Sequence, residues 1–164
     1  MTYGQVVKGY SIPVFNERAI RAGAGITLLL GIAAFALALS GNRTFLKILV
    51  VVFAVEFLIR VIKPEYAPFN RLGGLLVINQ KPEWSGAEQK RFAWAIGLVL
   101  ATTMSILIHG FGITGIAPLS ICLICLTFMW LESAVGYCAG CHIFKLIGKK
   151  PQACPGGVCS IGNK

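Results

Sequence analysis

Four long apolar runs constrain this chain more than any other feature, because a water-soluble fold has no place to bury them. Ala22 to Leu39 contains no charged residue. At ~1.5 Å rise per residue, a helix over this run nearly crosses a ~30 Å hydrocarbon layer. Thr44 to Ile62, Phe92 to Phe111 and about Ile116 to Tyr137 complete the set. A bilayer core offers almost no water to satisfy backbone polar groups, so helices are the natural assignment. The alternating ~10-residue segments of a barrel are not seen. The sequence therefore predicts an all-α integral membrane four-helix bundle over residues 1–144, followed by a cysteine-containing tail over 145–164.

Composition agrees. Of 164 residues, 56% are hydrophobic and only 13% charged, which excludes disordered, collagen-like and small disulfide-scaffold classes. Lys and Arg number 15 against 6 Asp and Glu, a formal net charge of +9. In a soluble chain this excess would suggest nucleic acid. Here the bases fall between apolar runs and read as orientation signals and contacts for anionic lipid, so no nucleic-acid partner is expected.

Orientation follows from their positions. Lys8, Arg18 and Arg21 precede the first run; Arg60, Lys63, Arg71, Lys81, Lys90 and Arg91 flank the central loop; Lys145, Lys149, Lys150 and Lys164 follow the last run. Only Arg43 and Lys47 fall on the other side, which predicts cytoplasmic termini and a cytoplasmic central loop. Met1 to Arg21 has no apolar core or small-residue cleavage site, so the first span is expected to be retained. Within the loop, Phe69, Leu72, Leu75 and Leu76 recur at helical spacing and suggest a short interfacial helix with Arg71 toward lipid phosphate; Gly73 and Gly74 oppose it. Ser85 and Glu88 form a capping-box pattern that would start the third helix in the cytosol.

A weak repeat is also legible. Arg21-Ala22-Gly23 and Arg91-Phe92-Ala93 open the first and third runs alike, and Glu56 matches Glu132 in depth within the second and fourth. Two helices per unit predict parallel helical-hairpin repeats about an axis along the membrane normal. Both acids lie inside apolar runs, where a carboxylate needs a partner and often marks a proton, ion or substrate route. Glu56 has Arg60 one turn on, which favours a structural pair. Glu132 has no such neighbour and needs Arg18, Arg21, Arg91 or another residue from a neighbouring helix, or must be protonated.

The cysteines carry the most specific chemistry. Cys138-Ala139-Gly140-Cys141 closes the fourth run, and Cys154 and Cys159 follow in the tail, separated by a Pro-Gly-Gly turn. Two thiols three positions apart can form a disulfide or share a soft metal. His142 and Lys145 favour the thiolate, whereas the carbonyl end of a helix opposes it. Four readings fit: a dithiol relay for electrons or sulfane sulfur; a Zn or Cu(I) site using Cys138, Cys141, Cys154 and Cys159; covalent haem, from the formal C-x-x-C-H ending at His142; and no chemistry at all. Haem attachment is made outside the cytoplasm, so orientation disfavours it, and no cofactor is predicted. Cys122, Cys125, Met129 and Glu132 form one stripe along the fourth helix, either packing or a path for a soft ion or sulfur species. Gly136 and Gly140 form a small-residue pair suited to close backbone approach, and His109 reads as an interfacial polar residue. Walker, Rossmann, HExxH and Ser/His/Asp patterns are not found, so phosphate transfer, hydride transfer and zinc proteolysis have no support.

Asn16 and Arg18 before the first run, Glu56 with Arg60, Arg91-Phe92-Ala93, and Gly136-Tyr137-Cys138-Ala139-Gly140-Cys141 together resemble a family of small bacterial membrane proteins known as a domain of unknown function. The likeness covers roughly residues 14–144. It implies an inner-membrane location and thiol or sulfur chemistry at Cys138 and Cys141, with a thioredoxin-like or sulfurtransferase partner. Family members commonly lack His after the second Cys, which further disfavours haem at His142. The tail pair is an addition to the family pattern. The resulting expectation is thiol redox or sulfur transfer at Cys138 and Cys141, with Cys154 and Cys159 as second acceptors. The alternative is a small oligomeric transporter using Glu56, Glu132 and the sulfur stripe.

Overall fold

The computed structural model describes residues 3–8 and 12–147. About 75% of the described residues are helical, and they form six α-helices. The amino-terminal segment enters through a short strand β1 (Val14–Asn16), paired antiparallel with β2 (Trp84–Gly86) so that Phe15 faces Ser85. Each strand leads directly into a long helix. Helix α1 spans Glu17–Leu39, and α4 spans Ala87–Ser105 and continues through a π-helical turn, Ile106–Gly110. Helix α2 covers Arg43–Ile62, and α5 covers Ile116–Trp130 with a second π-helical turn at Leu131–Val135. Two short helices complete the order: α3 (Pro68–Leu76) after α2, and α6 (Ala139–Leu146) after α5.

Local chemistry explains these boundaries. Asn16 caps α1, its side-chain oxygen accepting from the Arg18 amide at 3.2 Å, and Asn42 caps α2 by accepting from Phe45 at 3.4 Å. Gly41, at φ +74°, makes the reversal between α1 and α2 without a Cβ clash. Proline at the first position of α3 costs no hydrogen bond there. The expected capping box does not form. Ser85 lies within β2, and α4 starts after Gly86 with no side-chain cap, because strand pairing fixes this backbone first.

Glu17–Leu39, Ala87–Gly110 and Ile116–Val135 are long and apolar enough to cross a membrane. Helix α2 matches them in length but carries Arg43, Lys47, Glu56 and Arg60. Leu29, Ile32, Val99, Ile106 and Leu123 point outward and are exposed, a distribution that suits lipid rather than water. Inside, Ala34, Val50, Met104 and Ile108 pack at one level, and Ile20, Phe57, Trp94 and Ala101 at another.

Helix α3 does form where the sequence suggested one, and its glycine is the reason it packs. A Cβ on Gly73 would stand 2.5 Å from the Ala19 carbonyl oxygen and 2.5 Å from the Gly23 nitrogen, so α3 lies backbone to backbone against α1. Gly73→Ala is expected to cost about 1–3 kcal/mol by forcing the two helices apart. Gly74, with nothing within 4 Å of its would-be Cβ, should accept alanine with a gain of about 0.5–1 kcal/mol. Thermal unfolding of both variants in one detergent checks the pair.

Candidate functional site

The amino ends of α1 and α4 and the carboxyl ends of α2 and α5 meet at one end of the bundle, and the buried polar side chains collect there. Two clusters form. In the first, Arg60 of α2, fully buried, donates from Nε to Glu56 Oε1 at 2.9 Å and from Nη2 to Thr27 Oγ1 of α1 at 2.9 Å. The Glu56 carboxylate also accepts the Phe69 amide at the start of α3, at 3.3 and 3.4 Å. A helix amino terminus and a guanidinium thus share one carboxylate, an arrangement that joins three helices. Tyr3 donates its hydroxyl to the Arg60 carbonyl at 2.7 Å. Burial pushes the Tyr3 phenol above its ordinary value, with the Arg91 guanidinium over its ring pulling the other way, so it remains a donor. The structural reading of Glu56 and Arg60 therefore fits their contacts.

The second cluster centres on Lys90, in the first turn of α4 and only 1% exposed. Its ammonium sits 2.7 Å from Glu17 Oε1 and 3.0 Å from Glu132 Oε1. Glu132, itself buried, projects from the π-helical turn that ends α5. The base that Glu132 required is therefore Lys90. The three candidates named from sequence are engaged elsewhere: Arg18 binds Glu83 at 2.5 Å, Arg91 lies over the Tyr3 ring at 4.7 Å, and Arg21 points to the Ser133 and Ala134 carbonyls at 3.4 and 3.3 Å.

Both thiols of the C-x-x-C segment lie within electrostatic reach of the Lys90 ammonium. Their setting differs from the one expected. The fourth long helix stops at Val135, and Gly136, in the left-handed region at φ +73°, turns the chain back. Cys138 then opens a new helix: its carbonyl accepts the Cys141 and His142 amides at 3.1 and 3.2 Å, and its sulfur lies 3.3 Å from the Cys141 nitrogen. The pair thus stands at the positive, amino end of α6 rather than at the negative end of α5. The two sulfurs are 2.6 Å apart, and Cys138 and Cys141 are 7% and 6% exposed. Gly140 lies directly against Ala93, and Phe144 packs on Phe92 at 5.4 Å, which clamps α6 to α4. Of the expected small-residue pair, Gly140 makes the close approach to α4 while Gly136 makes the turn, its own neighbour being the Arg21 guanidinium.

The sulfur stripe also takes a definite place. Cys122, Cys125, Met129 and Glu132 line a cavity of about 100 Å³ within the bundle, and Cys138 borders it. His142 stacks on Tyr137 at 4.5 Å, and the His109 ring meets the Ser105 carbonyl at 3.1 Å. Among the described residues no cluster of three His, Cys, Asp or Glu side chains is arranged to hold a metal ion. Two thiols supply half of a tetrahedral set. Cys154 and Cys159, the expected second half, lie outside the described residues, as do Lys149, Lys150 and Lys164.

No curated protein and no solved structure matches the chain. The stretch that carries the site is recognised nonetheless. Residues 15–149, which hold all six helices, both ion clusters and the C-x-x-C pair, match the family described as a domain of unknown function, DUF4395, and the chain belongs to that family.

Proposed function

We propose that this chain is a four-span protein of the bacterial inner membrane whose Cys138 and Cys141 form a redox-active dithiol. The observation that carries the reading is the pair itself: two sulfurs 2.6 Å apart at the start of α6, within electrostatic reach of a lysine held by two carboxylates. In exchange, one thiolate attacks a sulfur of a partner's disulfide and releases the partner's other sulfur as a thiol. The second cysteine then attacks the mixed disulfide, closing the Cys138–Cys141 bond and freeing the reduced partner. The same first attack on a persulfide would transfer its outer sulfur. Lys90 and the helix amino end both place positive charge where thiolate charge develops. A thioredoxin-like or sulfurtransferase protein suits the partner role. Because the thiols are enclosed, a protein partner reaches them only when α6 lifts from α4.

Helix α2 serves as the fourth span in this reading, its Glu56–Arg60 pair neutralised internally and Arg43 and Lys47 at the far interface. Both termini are then cytoplasmic, with the exposed Arg71 and Lys81 facing anionic headgroups. The order β1–α1–α2–α3 and β2–α4–α5–α6 supports two parallel repeats. Phe15 stands over Ser85, Arg21 over Arg91 and Gly23 over Ala93 at one constant offset, and the Gly73–Gly23 contact has its counterpart in Gly140–Ala93. The first copy holds its buried acid for structure; the second pairs its acid with Lys90 and adds the thiols. A transport path along the sulfur stripe has the shared cavity in its favour, but Glu132, the stripe's charged member, is held by Lys90.

Differential alkylation of membranes, read by mass spectrometry, tests the proposal. Cys138 and Cys141 are expected to shift together between reduced and bridged forms as the thiol–disulfide poise is varied, and Cys138→Ser should abolish the bridge. Constant labelling of both across the range would refute it.

A further inference from the structure

Resting on the dithiol reading above, with the exchange run in reverse so that a partner's dithiol reduces the Cys138–Cys141 bridge, we infer that the electron acceptor of Cys138 and Cys141 is a lipid-soluble quinone bound in the cavity that Cys138 borders. The cavity, about 100 Å³, lies between α1, α2, α4, α5 and α6. It is of the order of the ~150 Å³ apolar cavity known to accept a benzene ring. Its walls are predominantly aliphatic and aromatic, with Cys138 and Glu132 at the polar end of the bundle. A charged oxidant such as polysulfide would lose its hydration there without replacement, whereas a neutral ring would not.

A second feature selects a ring that carries acceptor oxygens. Trp94 lines the same cavity and is 2% exposed, and its indole N–H finds no acceptor among the described residues. A buried donor left unmatched is uncommon, because an indole N–H normally finds a partner when removed from water. A quinone carbonyl supplies one. Access is lateral rather than from water: the thiols are enclosed, while Ile143 of the cavity wall is exposed and Ile96, Leu100 and Phe128 are partly so. The wall formed by α4, α5 and α6 thus reaches the outer surface of the bundle, where a hydrophobic tail can remain in lipid.

The reaction balances within this site. Both S–H bonds break, the Cys138–Cys141 bond forms, and two electrons with two protons pass to the two quinone oxygens, giving a quinol. The Lys90 ammonium lies within electrostatic reach of the sulfurs, where it favours negative charge on a thiolate during transfer.

The test uses the purified full chain in detergent, reduced and freed of reductant, with decylubiquinone as the probe. The ring of this quinone is fully substituted, which blocks thiol addition to it. Loss of quinone absorbance is expected at one equivalent per chain. Mass spectrometry should show Cys138 and Cys141 bridged, with two hydrogens lost and no adduct. Trp94→Phe keeps the ring and removes the donor, and should raise about tenfold the decylubiquinone concentration that gives half the maximal single-turnover rate. Cys122→Leu, which fills the cavity, should slow quinone reduction by about tenfold or more while the protein's Tm is retained. A parallel arm offers a small soluble disulfide. If the disulfide oxidises the pair but decylubiquinone does not, the quinone inference fails and the dithiol reading stands. If neither oxidant alters the pair, both fail. A single-turnover rate and its quinone dependence unaffected by both Trp94→Phe and Cys122→Leu would also overturn the cavity as the quinone's site.

Discussion

Replacing Lys90 with methionine is expected to lower the stability of the chain by about 3–5 kcal/mol, the largest loss among single substitutions at its polar end. The ammonium is the shared partner of Glu17 and Glu132, at 2.7 and 3.0 Å, and all three groups lie mainly out of water. Breaking a buried ion cluster by removing one member costs far more than never having built it, because the remaining charges stay desolvated without compensation. Here two carboxylates are abandoned at once. Combining Lys90→Met with Glu17→Gln and Glu132→Gln should recover most of the loss, since no uncompensated charge then remains. Thermal unfolding in a mild detergent compares the parent, Lys90→Met and the triple variant. A Lys90→Met protein that melts within about 2 °C of its parent would refute the ion triad.

Arg60→Met should rank second, at about 3 kcal/mol. It removes a fully buried guanidinium from Glu56 and breaks its hydrogen bond to Thr27 at 2.9 Å. The expected loss is smaller for a geometric reason. Glu56 keeps the Phe69 amide at 3.3 Å and the amino end of α3, whereas Lys90 is the partner through which Glu132 is held. The two losses should be nearly additive, because the clusters share no hydrogen bond. If Arg60→Met proved the more damaging, the Phe69 contact would have to be weaker than its geometry indicates. Adding Glu56→Gln to that variant should then rescue it, which separates electrostatic strain from lost packing.

The long helices were legible in the sequence because apolar runs of bilayer length leave few alternatives, and the Glu56–Arg60 pair because one helical turn places them together. The need of Glu132 for a base from another helix was also legible; the identity of that base was not. Lys90 and Arg91 are adjacent, and a step of one residue rotates a side chain about 100° around a helix. Only the start of α4, fixed by the β1–β2 pair, decides that Lys90 turns inward while Arg91 turns to Tyr3. Three-residue strands are too short for their alternation to register against the helical pattern around them. The setting of the thiols was misread for a related reason. Gly136 fits a continuing membrane helix as readily as a terminating one, so the segment after it looked like the end of α5 rather than the beginning of α6. That difference reverses the sign of the backbone field at Cys138. The sulfur stripe was visible as a spacing, but its exposure to a cavity depends on helices far away in sequence.

The pairing of β1 with β2 also bears on how the molecule is made. Translation delivers Val14 and Glu17 long before Ser85, Gly86 and Lys90, so the first helical hairpin leaves the ribosome with its opening strand unmatched and one acid without its base. Strand and acid find their partners only once the second half has been made, so the amino ends of both long helices depend on residues about 70 positions apart in the chain.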